Sequence, residues 1–242
     1  MNPNKTLTIA VATLVLTLTL PAADFGVGKL LGGKKAAELA APKLAFQVGG
    51  APTDRVEMIF FYGSATKTLI TAANQKTDEV IKNLGEQLKV KVANMSAQEQ
   101  AKALGEVASG TLSEQQKTAV GNAWRDLLAS NLLAANAAAT AQALVAVAPG
   151  VPDAVQANKL KYGLKAAGYI KDAPVLVKDM QGIVTETPKF LKNNFDMTAA
   201  VAKLGTAAGI QQPTAEQNKK GAEEVASKLL PPSVTLSDAK FE

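Results

Sequence analysis

The chain of 242 residues is 47% hydrophobic, carries +5 at neutral pH and contains neither cysteine nor histidine. It is therefore large enough to bury a core without disulfides, and thiol catalysis, histidine-dependent triads, histidine-ligated haem and the usual zinc sites are all excluded. What survives is carboxylate acid/base work, a Ser-Lys or Tyr mechanism, or a hard-metal site of oxygen ligands; no motif for any of these stands out, so no catalytic residue, cofactor or metal site is assigned.

The first 23 residues read as a secretory signal peptide. A lone Lys5 precedes the apolar and threonine run from Leu7 to Leu20, and Pro21-Ala22-Ala23 gives a small-residue exit, a layout too short for an ordinary membrane span. The expectation is an exported protein, periplasmic or secreted, that begins near Asp24 and carries no N-terminal lipid on cysteine. Residues 24–53 follow as a glycine- and alanine-rich lead segment, expected to be loosely ordered apart from one short helix from Lys34 to Ala41, ended by Pro42. Within it, Gly28 to Lys35 has the spacing of a phosphate-binding loop, G-x-x-x-x-G-K. It ends in lysine where Ser or Thr should bind the metal and lies just behind the expected cleavage site, so a basic lead segment is the reading kept.

Residues 54–230 form the expected helical domain. Asp54 caps a segment through Val56, Ile59 and Phe60, which pauses or continues at Gly63. Beyond it Leu69, Ile70, Ala73, Val80, Ile81, Leu84 and Leu88 recur at three- and four-residue steps and so share one helix face. Val90-Lys91-Val92 has the composition of a short strand without an obvious partner. Ser96-x-x-Glu99, Ser113-x-x-Gln116 and Thr214-x-x-Gln217 have capping-box spacing and mark three helix starts. The helix from Ser113 is the longest, running through Val120, Trp124, Leu127, Leu132 and Leu133 into an alanine run that reaches Val147 and ends at Pro149-Gly150-Val151-Pro152. Further helices are expected from Asp153 through Leu160, Leu164 and Ala167, from Pro174 and from Pro188, and from a cap at Asp196 or Thr198 to Ala208, closed by Gly209. Pro231-Pro232 stops the last helix, and residues 231–242 are expected to be a flexible tail.

The fold class this implies is all-α: an antiparallel multi-helix bundle around a long central alanine-rich helix, with two helical subdomains hinged at 149–152 as the alternative.

Three constellations bear on function. Between Asp126 and Asp153 lie 26 residues without a charge. Such a helix belongs in protein or in lipid, and Ser130, Asn131, Asn136, Thr140 and Gln142 favour protein, because their polar groups need partners. Met58, Phe60, Phe61 and Tyr62 form an aromatic cluster able to line an apolar pocket, as does Trp124 further on, with ordinary core packing as the favoured use. The paired carboxylates Asp78-Glu79 and Glu223-Glu224 point in different directions on a helix and read as solvated faces, while Asn94-Met95-Ser96 fits a glycosylation acceptor. Arginine occurs only at Arg55 and Arg125, and the lysines form no block longer than Lys34-Lys35 or Lys219-Lys220. That distribution gives weak attraction to anionic surfaces and argues against nucleic acid.

The reading that follows is an exported non-catalytic helical protein acting as an envelope or secreted interaction module with a protein or envelope partner. Its rivals are a helical carrier of a hydrophobic ligand, a membrane-active or pore-forming protein, and an enzyme using carboxylates or a Ser-Lys pair.

Overall fold

The computed structural model describes residues 39–231 and 233–238. The signal-peptide and phosphate-loop readings lie outside these residues, and so do the first five residues of the expected helix at 34–41. Its remaining positions, Leu39 to Ala41, are not helical. A strand β1 (Phe46–Val48) leads into α1 (Arg55–Leu88), followed by α2 (Ala97–Gly105), α3 (Glu114–Val147), α4 (Val151–Ala157), a single turn α5 (Lys159–Tyr162), α6 (Lys165–Ala207), α7 (Ala215–Ser227) and a strand β2 (Val234–Leu236). The fold is an all-α multi-helix bundle with a minimal two-stranded sheet.

The caps form where the sequence spacing puts them. The Asp54 carboxylate accepts from the backbone N–H groups of Val56 and Glu57, both at 3.0 Å. Reciprocal capping boxes open α2 at Ser96, α3 at Ser113 and α7 at Thr214, each satisfying backbone donors that a helix start leaves without partners. Helix α1 runs through Gly63 without a break. The close packing there explains why the residue is glycine, since a Cβ at that position would overlap Leu176 Cδ1 of α6.

The three long helices pack around α3, which lies against α1, α6 and α7. One cluster fixes their directions. The C-terminal part of α1 (Val80, Ile81, Leu84, Leu88) meets the N-terminal part of α3 (Val120, Ala123, Trp124, Leu127) and the C-terminal part of α6 (Met197, Val201, Leu204), with Ala101 and Leu104 of α2 alongside. Helix α3 is therefore antiparallel to both α1 and α6.

Several expectations are corrected. The separate helices expected at Asp153, Pro174, Pro188 and Thr198 are mostly one helix, α6, with Pro174 and Pro188 inside it. Proline costs a backbone hydrogen bond, but Ala173, Leu176, Thr187 and Leu191 beside the two prolines are buried, and the Thr187 hydroxyl donates to the Ile183 carbonyl at 2.7 Å. Packing thus holds the helix through both sites. At the segment named as a possible hinge, a 3-10 turn at Ala148–Gly150 joins α3 to α4, and Ala148 at its start and Val151 after it are buried. Residues 231–242 are not uniformly a flexible tail, because β2 pairs antiparallel with β1, Phe46 opposite Leu236 and Val48 opposite Val234, and all four side chains are buried. That pairing also orders part of the lead segment. Val90-Lys91-Val92 forms no strand; its valines pack onto the core cluster instead.

Of the five polar residues of the uncharged segment, Asn131, Asn136 and Thr140 are hydrogen-bonded, whereas Ser130 Oγ is buried without a partner and Gln142 is exposed. Asn136 donates to the Leu132 and Ser237 carbonyls and accepts from the Ser237 backbone, fastening β2 to α3. Thr140 Oγ1 accepts from Ala45 N at 3.1 Å, and Asn131 accepts from Asn194 Nδ2 at 2.7 Å while donating to Thr198 Oγ1. Of the leucines there, Leu133 and Leu144 are fully buried and Leu132 is half-buried.

Candidate functional site

The residues proposed to form an aromatic pocket do not converge. Successive helix positions point about 100° apart, and the structure shows the result. Tyr62 is buried toward the strand pair, where its hydroxyl accepts from Val48 N at 3.1 Å and its ring lies 5.3 Å from Phe46. Phe61 meets Tyr62 edge-on at 5.4 Å. Phe60 stacks on Tyr169 of α6 at 5.1 Å, and Met58 is half-buried. Trp124 sits in the core cluster beside Gly205, where an added Cβ would lie 3.0 Å from the indole. Eighteen residues of α1 separate Tyr62 from Val80 in that cluster, about 27 Å at helical rise. Tyr62 and Trp124 are both buried.

A different group of residues gathers where α1 begins. Asp54, already capping α1 through one carboxylate oxygen, binds Lys161 Nζ at 2.5 Å with the other and accepts from the Tyr162 hydroxyl at 3.2 Å. One turn on, Glu57 Oε1 accepts from Lys165 Nζ at 3.1 Å and from the Tyr169 hydroxyl at 3.2 Å. The two phenol rings meet edge-on at 5.8 Å, and Lys161 Nζ lies 5.4 Å from the centre of the Tyr162 ring. The start of α1 thus clamps the α5–α6 junction with two carboxylates, two lysines and two tyrosines.

The electrostatics of this clamp move every shifted group away from neutrality. Burial pushes the Asp54 carboxyl up, but hydrogen bonds from Lys161, the Glu57 backbone and Tyr162, with the lysine's charge, outweigh it and hold the carboxyl below its ordinary value. Burial and then the Asp54 carboxylate raise the Tyr162 phenol, and burial and then Glu57 raise Tyr169. Hydrogen bonds to their carboxylates raise Lys161 and Lys165. A proton carrier works best with a pKa near the working pH, and the shift of each of these groups is directed away from neutrality.

Above the clamp, Leu160 and Leu164 are 101% and 102% exposed. Both lie in the stretch expected as one helix from Asp153, and the structure divides that stretch. Gly163 breaks the chain between α5 and α6 with φ 51° and ψ −128°, a conformation open to glycine because it has no Cβ. The sequence signal was the alternation of lysine with apolar residues around a glycine in Lys159-Leu-Lys-Tyr-Gly-Leu-Lys165.

Among the described residues no group of three or more acidic side chains converges as a metal site. Glu223 departs from the solvated-face reading: its carboxylate accepts from Leu236 N at 3.0 Å and holds β2. Asn94 lies in a turn with φ 62° just before the α2 capping box, in which Ser96 of the acceptor triplet is the capping residue. No protein-family model, no curated protein and no solved structure matches this chain.

Proposed function

We propose that the protein is an exported, non-catalytic helical module that acts through its surface in the envelope or the secreted space. The observation that carries this reading is the tip at Lys159–Lys165, where two leucines stand fully in solvent above side chains committed to holding the segment in place. Large apolar groups at such exposure favour contact with another molecule. The dispersal of Met58, Phe60, Phe61, Tyr62 and Trp124 weighs against a carrier built on those residues, and the pKa directions at the clamp weigh against general acid/base work there. Export rests on the composition of residues 1–23.

Two measurements on the native host test the reading. N-terminal sequencing is expected to find a start within a residue or two of Asp24; recovery of Met1 in cytoplasmic protein removes export. A photo-crosslinking residue at Ala167, exposed beside the tip, is expected to give defined adducts, while the same residue at exposed Ala108 gives none. Stoichiometric release of an apolar compound on solvent extraction would establish the carrier instead.

One observation favours a second reading. Among the described residues the helical run Glu114–Ala157 is long and apolar enough to cross a membrane by length and composition, and half of its most apolar window is buried inside the protein. Release of that run into lipid would break the hydrogen bonds of Asn131, Asn136 and Thr140, a large cost in hydrocarbon. Salt-resistant dye release from neutral vesicles, abolished by Leu132→Asp, would establish this membrane-active reading; no release is expected.

A further inference from the structure

We infer that the Lys159–Lys165 tip is a membrane-docking site that seats Leu160 and Leu164 in the surface of an anionic bilayer. This rests on the surface-acting reading above and names its partner as lipid. Three features of the tip point to a bilayer. Its two leucines are exposed to the full extent that an extended peptide would allow, so they project from the protein rather than lie along it. A projection of this kind needs a soft surface to enter, which a bilayer offers without a preformed groove.

The short stretch that carries the leucines is basic, bounded by Asp153 and Asp172. From Ala154 to Lys171 the chain holds four lysines, Lys159, Lys161, Lys165 and Lys171, and no acidic residue. The two carboxylates nearby, Asp54 and Glu57, are half-buried and already bind lysine and tyrosine. Lys161 and Lys165 remain largely exposed despite those ion pairs. Two leucines alone give too little buried area for stable attachment, but a small apolar anchor combined with nearby lysines is the two-part arrangement that holds proteins at anionic surfaces.

The support under the tip has the right character as well. Tyr162, Tyr169 and Phe60 form a chain of contacting rings beside it, Phe60 stacked on Tyr169 and Tyr169 edge-on to Tyr162, with the tyrosine hydroxyls tied to carboxylates. Rings with an apolar body and a polar end suit the boundary between headgroups and acyl chains. The clamp also fixes the leucines before binding, so little ordering is required when they enter lipid.

The test uses protein recovered from the exporting host and vesicles of two compositions, pure phosphatidylcholine and equimolar phosphatidylcholine–phosphatidylglycerol. Because the chain has no cysteine, a single Ala167→Cys carries an environment-sensitive fluorophore beside the tip, and Ala108→Cys carries it at the other end of the bundle. The expected result is sedimentation with the anionic vesicles alone, falling as salt shortens the ~10 Å screening length of 0.1 M solution. It is accompanied by a blue shift at position 167 and none at 108. The double variant Leu160→Ser/Leu164→Ser should bind about tenfold more weakly or less, and Lys159→Glu should weaken binding with both leucines present; unchanged melting shows that each is folded. Binding by the double serine variant equal to wild type, a shift at position 108, or no binding by folded wild type overturns the inference. So does a concentration-dependent blue shift at 167 without vesicles, which assigns the tip to a second copy of the chain. Failure here is separate from failure of the surface-acting reading: a defined protein adduct from Ala167 in the native compartment keeps that reading, and no adduct of any kind removes it.

Discussion

The two ends of the bundle treat apolar side chains in opposite ways. At the end holding Trp124, the connecting segments send their apolar residues inward: Val90, Val92, Val107, Leu112 and Ile210 all pack onto the core cluster. At the other end, the α5–α6 junction leaves Leu160 and Leu164 in solvent and turns its polar atoms inward to Asp54 and Glu57. The first end is closed mainly by hydrophobic burial, with Gln100 and Gln116 donating to the Val92 and Gln87 carbonyls. The second is closed by ion pairs and phenol hydrogen bonds, which hold the segment in shape without using its leucines. Where the segments at the Trp124 end bury their apolar residues, the α5–α6 junction leaves two leucines fully in solvent, where they can meet something else.

The largest effect that sharpens this contrast is expected at the closed end. Trp124→Ala should destabilise by ~3–5 kcal/mol, because it removes a large buried ring and leaves a cavity between α1, α3 and α6. Thermal or urea melts give the value. A loss below about 1 kcal/mol would mean that the site collapses readily and that the end is not held by packing.

Next in size is the polar fastening in the tip half of the bundle, where Asn136 joins α3 to Ser237 through its carboxamide. Asn136→Ala should cost about 1–3 kcal/mol, since backbone groups of the strand pair lose buried partners. Amide exchange of Leu236 and Ser237 should accelerate more than that of Leu127. Uniform acceleration along the chain would show that the strand pair opens only with the whole fold.

That strand pair shows how far the sequence could be read. The helices were readable because three-to-four-residue spacing and three capping boxes agree over long stretches. The strands were not, because Phe46-Gln47-Val48 and Val234-Thr235-Leu236 alternate for three residues each and lie almost two hundred positions apart, so neither gives a pattern until the other is beside it. Pro174 and Pro188 misled in the other direction: a local rule says that a helix ends there, and burial on both sides of each proline overrides it. At the candidate site, Asp54 was identified as a cap from its position. Its second role, holding Lys161 and Tyr162 more than a hundred residues away, has no trace in local spacing. The break that divides Leu160 from Leu164 rests on the single residue Gly163, and a lone glycine in a helical pattern does not by itself announce a break.

A smaller effect separates the capping role of Asp54 from its charge. Asparagine caps as well as aspartate, so Asp54→Asn keeps the start of α1 and removes the anion that binds Lys161, whereas Asp54→Ala removes both and should cost about 1 kcal/mol from the cap alone. The Asp54 carboxyl is held below its ordinary value of 3.8 in the folded protein, so its charge contributes stability that is fully present above 3.8 and is lost as pH falls through the lower folded value. The stability difference between wild type and Asp54→Asn should therefore be constant near neutrality and shrink in acid below 3.8. At the alkaline side, the raised Tyr162, Tyr169, Lys161 and Lys165 contribute stability present below 10 and lost as pH rises through their folded values. Opening of the tip above pH 10, followed through the fluorophore at Ala167→Cys, checks that limb. An acid profile identical in wild type and Asp54→Asn would show that the charge of Asp54 is not coupled to folding.

The smallest expected effect is the most informative about the tip. Leu160→Ser/Leu164→Ser should change stability by less than about 0.5 kcal/mol, the ordinary range for surface positions, because side chains with full exposure lose no burial when they are shortened. A serine pair should also reduce nonspecific adhesion, so the variant should be at least as soluble as wild type. Two leucines whose removal leaves stability unchanged and improves solubility contribute nothing to folding, and their presence is then explained by what they contact. A loss above about 1 kcal/mol would show the opposite: that the leucines pack against the rest of the chain in solution, that the two ends of the bundle are alike, and that the tip is core rather than contact surface.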